Sequence, residues 1–240
     1  MINLYDFPEL EMLADLKIKA MHADKLKAKE FVRERLADEY VADTFGIWSD
    51  PAHIDWQLLP NSFVLKANHG WRFNTFIRNK AEIDIDEVNE KLARWLATDF
   101  SLVRNEPHYA LIPRCIFAEE YLNNPINVVV YCYKEQPKWV SVFTTVKTIS
   151  YENTYNTALE LQTWTLSGLQ ISKELQFIDF DKCLQTASIL CKGLKFVRID
   201  LYQTQSKILF SEYTFSPFSG RIRTFPCPEY EQVFYDTLIA

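Results

Sequence analysis

Apolar positions along this chain recur at two spacings, and the change from one to the other marks out its elements. Phe31, Val32, Leu36 and Tyr40 fall on one side of a helix that Asp24 caps and that runs to about Val41. Ile85, Val88, Leu92, Trp95 and Leu96 repeat the helical spacing behind Asp84, a second cap. A third helix is expected from about Asp181 to Lys192, stopping at Gly193, and a short one after Pro228. Between them the spacing drops to two. "FVLKAN" (63–68) and "FNTFIRN" (73–79) read as strands around a turn at Gly70, and "RCIFAEEYL" (114–122) as a strand ending in acids. "NVVVYCY" (127–133) and "WVSVFTTVKT" (139–148) are β-branched and aromatic, hence paired strands. Two prolines and cap-type residues make "SDPAHIDWQLLPNS" (49–62) a connector. The pattern predicts an α+β protein of two lobes hinged near residues 122–127. A helical segment and connector (1–58) would precede the lobes, which would span 59–125 and 126–240.

The stretch "FVRIDLYQTQSKILFSEYTF" (196–215) is a hairpin with charges inside it. Val197, Ile199 and Leu201 form its apolar face, and Arg198 and Asp200 share the opposite one. In the second strand Glu212 and Thr214 share a face. Whether the two polar faces coincide depends on the loop. An odd loop over Thr204–Ser206 pairs Arg198 with Glu212 and leaves Asp200 diagonal to it, close enough for both carboxylates to reach one cation. An even loop puts the acids on opposite faces. If they share a face they need a counter-charge, and hard oxygen ligands suit Mg²⁺ beside phosphates. The alternative is a solvated acid pair flanking an arginine salt bridge.

Composition narrows the partners. A net charge of −6 without a basic block argues against nucleic acid. No run approaches the roughly 18 apolar residues of a membrane span. Asp6, Glu9, Glu11 and Asp15 fall where a signal peptide needs a positive end and an apolar run. The five cysteines are odd in number and scattered, which favours reduced thiols in the cytoplasm. The four histidines are equally dispersed, and no zinc spacing is present. Lys66, at a strand end beside Asn68, His69 and Gly70, suits a phosphate: a point charge next to backbone N–H groups.

Four segments in order carry a resemblance: "LPNSFVLKANHG" (59–70), "AEEYL" (118–122), "FVRIDLY" (196–202) and "SEYTFSPFSG" (211–220). Together they resemble the TupA-like branch of the ATP-grasp superfamily, whose members read approximately LP-x-x-F-V-L-K-x-N-H-G, EEYL, F-V-R-V-D-L-Y and G-E-L-T-F-x-P-x-S-G. The resemblance runs from about Asp24 to Pro228. It implies an ATP-grasp fold with antiparallel sheets flanked by helices and the nucleotide between the lobes. By position it makes Asp200 and Glu212 the Mg²⁺ ligands and turns Arg198 toward the phosphates or an acyl-phosphate. Lys66 would hold the α- and β-phosphates, with Asn68, His69, Gly70 and Arg72 in the flap over them. Glu119, Glu120, Tyr121 and Leu122 would form the hinge against adenine. The implied activity is an ATP-dependent carboxylate–amine ligation through an acyl-phosphate, on a capsular or cell-envelope polysaccharide, with a partner protein of that biosynthesis.

Two departures set up a rival. Family members follow NHG with SG, a flexible glycine-rich flap; this chain has Trp71 and Arg72. The usual D-Y-K-F-F-C-F-N-G-K-P becomes "NVVVYCYKEQP" (127–137), which puts Val129 where a lysine is expected and Asn127 where an acid is. The rival is a degenerate nucleotide-binding module that serves a glycosyltransferase or assembly complex without ligase activity. A third reading, a carbohydrate-binding protein, requires aromatic side chains exposed on one face.

Overall fold

A computed structural model of the chain describes residues 2–3, 16–104, 106–174, 176–222, 224 and 226–239. Asp6, Glu9, Glu11 and Asp15 lie outside the described residues. The chain runs β1 (Ile2–Asn3), α1 (Leu16–Ala23), α2 (Lys25–Arg35), β2 (Thr44–Trp48), β3 (Phe63–Ala67), β4 (Asn74–Ile77), α3 (Ile85–Ala97), α4 (Phe100–Arg104) and β5 (Ile116–Glu120). It continues with β6 (Ile126–Tyr133), β7 (Gln136–Val146), β8 (Ile149–Asn156), α5 (Phe180–Leu190), β9 (Phe196–Gln203), β10 (Ile208–Thr214), β11 (Arg221–Ile222) and α6 (Tyr230–Ile239). The fold is α+β, with two antiparallel sheets and helices.

Two compact units divide these elements. One holds residues 16–31 and 41–123. Its sheet runs β2-β5-β3-β4, antiparallel throughout. Phe63, Leu65, Ala67, Ile116 and Ala118 form one face and pack with Leu92 and Trp95 of α3. Val64 and Lys66 stand on the other face, with Glu119 opposite Val64 and Phe117 opposite Lys66. Asp84 caps α3 as expected, its carboxylate accepting from the Glu87 N–H at 3.1 Å. A smaller core joins Ala20 and Ala23 of α1 to Phe100, Tyr109 and Ile112, with Trp71 and Phe73 against it.

The helix expected from Asp24 to Val41 is shorter. Asp24 does cap it, accepting from the Leu26 N–H at 3.1 Å, but α2 stops at Arg35. Asp38 takes the Arg33 guanidinium at 2.8 Å, and the chain tightens into a 3₁₀ turn over Asp38–Tyr40.

The other unit holds residues 32–40 and 124–239 together with β1. Its sheet runs β10-β9-β6-β7-β8. One face carries Val128, Val130, Val197, Ile199 and Leu201, all buried, and α5 packs on the sheet. The opposite face carries Val129, Tyr131, Tyr133 and Trp139, which pack with Trp164 and with Phe234 and Leu238 of α6. Arg198 and Asp200 belong to this second face, opposite Tyr131 and Val129 respectively. No helix among the described residues is long and apolar enough to cross a membrane.

Candidate functional site

The hairpin resolves the question of parity in a way the alternation does not anticipate. Its loop is even: Gln203 pairs with Ile208, leaving residues 204–207 between them. Alternation alone would then turn Glu212 away from Asp200. A β-bulge between Phe210 and Glu212 inserts one unpaired residue, Ser211, and shifts the register by one. Glu212 therefore lies directly opposite Asp200, and Thr214 opposite Arg198. The Arg198–Glu212 pairing expected of an odd loop does not form, yet the two acids share a face.

Arg198 closes this face with charge. Its Nε donates to Asp200 Oδ1 at 2.7 Å and its Nη2 to Oδ2 at 2.6 Å, a bidentate pair in which Asp200 is only 5% exposed. The same Nη2 donates to Thr214 Oγ1 at 3.2 Å and lies 3.8 Å from Glu212 Oε1. Burial drives the Asp200 carboxyl above its ordinary pKa; Arg198 opposes that, and the Glu212 charge adds to it. Among the described residues no group of three or more His, Cys, Asp or Glu side chains converges to hold a metal ion. Two carboxylates and a hydroxyl are nonetheless hard oxygen donors of the kind Mg²⁺ takes together with phosphate oxygens and water. The donor set fits that ion.

In the first unit Lys66 does not stand alone. Glu119 sits diagonally across the strand pair and pairs with it through Oε1. The other oxygen, Oε2, takes Lys29 of α2 at 2.8 Å. Burial alone would push the Glu119 carboxyl up, but Lys66 and then Lys29 more than offset it and hold it below its ordinary value. Lys29 also donates to Ala42 O at 2.9 Å and Thr44 Oγ1 at 3.1 Å. Nothing in the sequence pattern singles out Lys29, because its partners come from β2 and β5.

The flap residues are held closely. Asn68 spends its side chain on the protein: Nδ2 donates to Asp24 Oδ1 at 3.1 Å and Pro113 O at 2.9 Å, and Oδ1 accepts from the Cys115 N–H at 2.9 Å. His69 is 1% exposed, with Nε2 at 3.1 Å from Trp95 O, and burial lowers its pKa to about 4. Gly70 has φ +80°, and a Cβ there would lie 2.4 Å from the Phe100 ring. Lys25 donates to the Gly70 carbonyl. Trp71 donates its indole N–H to Glu106 Oε2 at 3.3 Å and meets Phe100 edge-on. Arg72 is exposed, adopts φ +62° and lays its guanidinium 5.0 Å over the Trp71 ring. Trp71 thus pins a loop that a Ser-Gly pair would leave free.

At the end of β5, Glu120, Tyr121 and Leu122 are half-buried, and the Tyr121 hydroxyl accepts from Arg78 Nε at 3.1 Å. Val129 is buried opposite Asp200 and supplies no charge there. Two residues on, and on the same face, the Tyr131 hydroxyl is buried and makes no hydrogen bond of good geometry among the described residues.

The model of the family described as TupA-like ATPgrasp matches residues 11–238. No curated protein matches the sequence. Among solved structures, the chain is similar to N5-carboxyaminoimidazole synthetase from Staphylococcus aureus complexed with ADP, at TM-score 0.53 and 13% identity over 82% of this chain and 46% of that one. It is also similar to an ADP complex of N5-carboxyaminoimidazole ribonucleotide synthetase, at TM-score 0.50 and 14% identity over 82% and 46%. The carboxyaminoimidazole ribonucleotide synthase from Aspergillus clavatus complexed with ATP matches at TM-score 0.50 and 15% identity over 83% and 46%. This chain therefore spans under half the length of each of these structures, and at such identities the likeness is one of fold.

Proposed function

The chain belongs to the TupA-like ATP-grasp family, and on that premise we propose that it is a Mg·ATP-dependent ligase. It joins a carboxylate to an amine through an acyl-phosphate, in the cytoplasm, on a capsular or cell-envelope polysaccharide. The observation that carries this reading is the bulged register that sets Glu212 opposite Asp200 with Arg198 beside them.

Asp200 and Glu212 hold Mg²⁺, with Thr214 beside them. When bound, that ion neutralises charge on the transferring phosphoryl group. Arg198 steadies the phosphoryl oxygens and then the acyl-phosphate, for which its planar fork is suited. Lys66 holds the α- and β-phosphates as a point charge, and the segment Glu119–Leu122 lines the adenine. Asn68, His69 and Gly70 fix the flap through the protein contacts described above, and Arg72 supplies a charge where relatives rely on glycine backbone. The contribution of the chain is positioning and charge neutralisation, which phosphoryl transfer chiefly requires. A partner protein of polysaccharide assembly presents the acceptor.

A second reading, a nucleotide-binding module without ligase activity, is favoured by Val129, whose buried side chain brings no cation to the face of Asp200. A thermal shift with ATP and Mg²⁺, on wild type, Asp200→Asn and Glu212→Gln, tests the metal site. Ligand at about 100 Kd stabilises the folded state by about 2.7 kcal/mol. A magnesium-dependent shift in wild type that disappears in both variants supports the site. Phosphate release on adding candidate acids and amines then separates ligase from module. The absence of any shift at saturating nucleotide refutes nucleotide binding in both readings.

A further inference from the structure

We propose that Tyr131 is a positioning residue whose hydroxyl receives the Arg198 guanidinium when Asp200 and Glu212 turn to Mg²⁺. The inference rests on the metal-site reading and deepens it. In the resting structure the acceptors around Arg198 are the very oxygens that suit the ion. Its Nε and Nη2 donate to the two Asp200 oxygens at 2.7 and 2.6 Å. Nη2 also donates to Thr214 Oγ1 at 3.2 Å and lies 3.8 Å from Glu212 Oε1. A carboxylate that gives lone pairs to a cation has fewer left for a guanidinium, which the same cation repels. The Arg198 side chain is only 14% exposed, so an N–H released by Asp200 needs another acceptor.

Tyr131 supplies one outside that donor set. It pairs with Arg198 across β6 and β9, on the same face. The residue is fully buried, and its hydroxyl makes no hydrogen bond. Arg198, Glu152 and Asp200 are the charges that act on it, Arg198 first, although none bonds it in good geometry. Glu152 is committed elsewhere, accepting from the Leu166 N–H at 3.1 Å and the Ser167 N–H at 2.8 Å. Val129, opposite Asp200, carries no polar side-chain atom, and the Phe218 ring centroid stands 6.0 Å from the guanidinium carbon. The Tyr131 ring meets Phe234 edge-on at 5.6 Å, a contact that a phenylalanine would make equally well. An unpaired buried hydroxyl costs stability at rest. The Arg198 N–H that it accepts in the metal-bound state offsets that cost.

Tyr131→Phe tests this, because it removes only the hydroxyl and keeps the ring in its core. Thermal melts of the full chain are taken across a Mg²⁺ series at fixed, saturating ADP, which cannot be turned over. The readout is the Mg²⁺ concentration that gives half of the metal-dependent shift. The variant is expected to need about tenfold more Mg²⁺, the size of one hydrogen bond to a charged group. Without Mg²⁺ it should melt at or above wild type, since it has lost an unpaired polar atom. A hydroxyl with a merely structural role would leave the Mg²⁺ requirement unchanged. In protein labelled with ¹³C at the tyrosine ring carbon that bears the hydroxyl, the resonance missing from Tyr131→Phe should move when Mg²⁺ and ADP are added to wild type. An unchanged Mg²⁺ midpoint, a stationary Tyr131 resonance or a lower melting temperature without Mg²⁺ overturns the proposal and leaves the metal site standing. A wild type without any Mg²⁺-dependent shift removes both.

Discussion

Arg198→Met is the most informative single change for the hairpin. The arginine makes two charge-assisted bonds to Asp200, at 2.7 and 2.6 Å, where the acid is 5% exposed. Removing one partner of a buried pair strands the other charge and typically costs about 3–5 kcal/mol. Glu212 lies opposite in the register, so the stranded carboxylate also faces a like charge. Asp200 can escape by protonation, and this gives the loss a pH dependence whose sign is fixed. Its pKa is already raised by burial in the folded state, and without Arg198 it rises further. Stability from a carboxyl with a raised folded value is fully present below the unfolded value of about 3.9 and is lost as pH rises through the folded one. The deficit of the variant should therefore stay constant up to about pH 7, where Asp200 titrates in the wild type, and grow as the pH rises above it. In urea, with a slope of about 2 kcal/mol per molar, the midpoint at the higher pH should fall by about 1.5–2.5 M. Millimolar Mg²⁺ without nucleotide should then stabilise the variant more than the wild type, because in the wild type Arg198 already engages both Asp200 oxygens. A deficit independent of pH, or an equal Mg²⁺ effect on both proteins, would refute the reasoning.

Two further outcomes are expected. His69 titrates at about 4 when folded, against 6.5 for a free imidazole, so the stability it supplies is present above pH 6.5 and is lost as pH falls toward 4. At about 1.4 kcal/mol per unit this reaches about 3 kcal/mol; thermal melts of His69→Gln should show a shallower acid decline than wild type, and equal slopes would contradict the assignment. Trp71→Gly should free the flap: amide hydrogen exchange across residues 67–73 should accelerate and stability fall by about 2 kcal/mol, less than full burial would give because Trp71 is half-buried. Unchanged exchange would mean that Asn68 and Lys25 hold the loop without it.

Where the fold was legible, local physics agreed with the tertiary result. Helix α3 has a full apolar stripe and an aspartate cap, and the strands from β3 to β7 carry β-branched or aromatic runs. The edge strand β2 escapes the pattern because "TFGIW" contains a glycine and is nowhere fully buried. Strand β8 escapes for the opposite reason: it buries polar residues. Glu152 is fully buried, accepting from the Leu166 N–H at 3.1 Å and the Ser167 N–H at 2.8 Å, while Asn153 donates to Ser172 O at 3.1 Å. Those partners lie in a later loop, so nothing local announces that "ISYENTYN" is interior. The candidate site divides in the same way. Lys66, Asp200 and Glu212 sit in recognisable motifs, whereas Lys29 acquires its place only when α2 meets β2 and β5.

The bulge at Ser211 shows why acids can stand inside a buried hairpin. Ile208, Leu209 and Phe210 are all buried, so both faces of the first half of β10 are covered and neither fixes a polar side. That half accepts the even loop, which Thr204 closes through a backbone bond to Lys207 O at 2.9 Å. Past the bulge the alternation resumes with Tyr213 inside, its hydroxyl on Leu190 O at 3.3 Å, and with Glu212 and Thr214 on the face of Asp200 and Arg198. Tyr213 cannot keep its place against α5 unless the register slips by one, and the same slip brings Glu212 opposite Asp200. Packing on one face thus enforces the meeting of charges on the other. Arg198 then offsets the repulsion that the meeting creates, which ties the stability of the hairpin to the residues that would hold the metal.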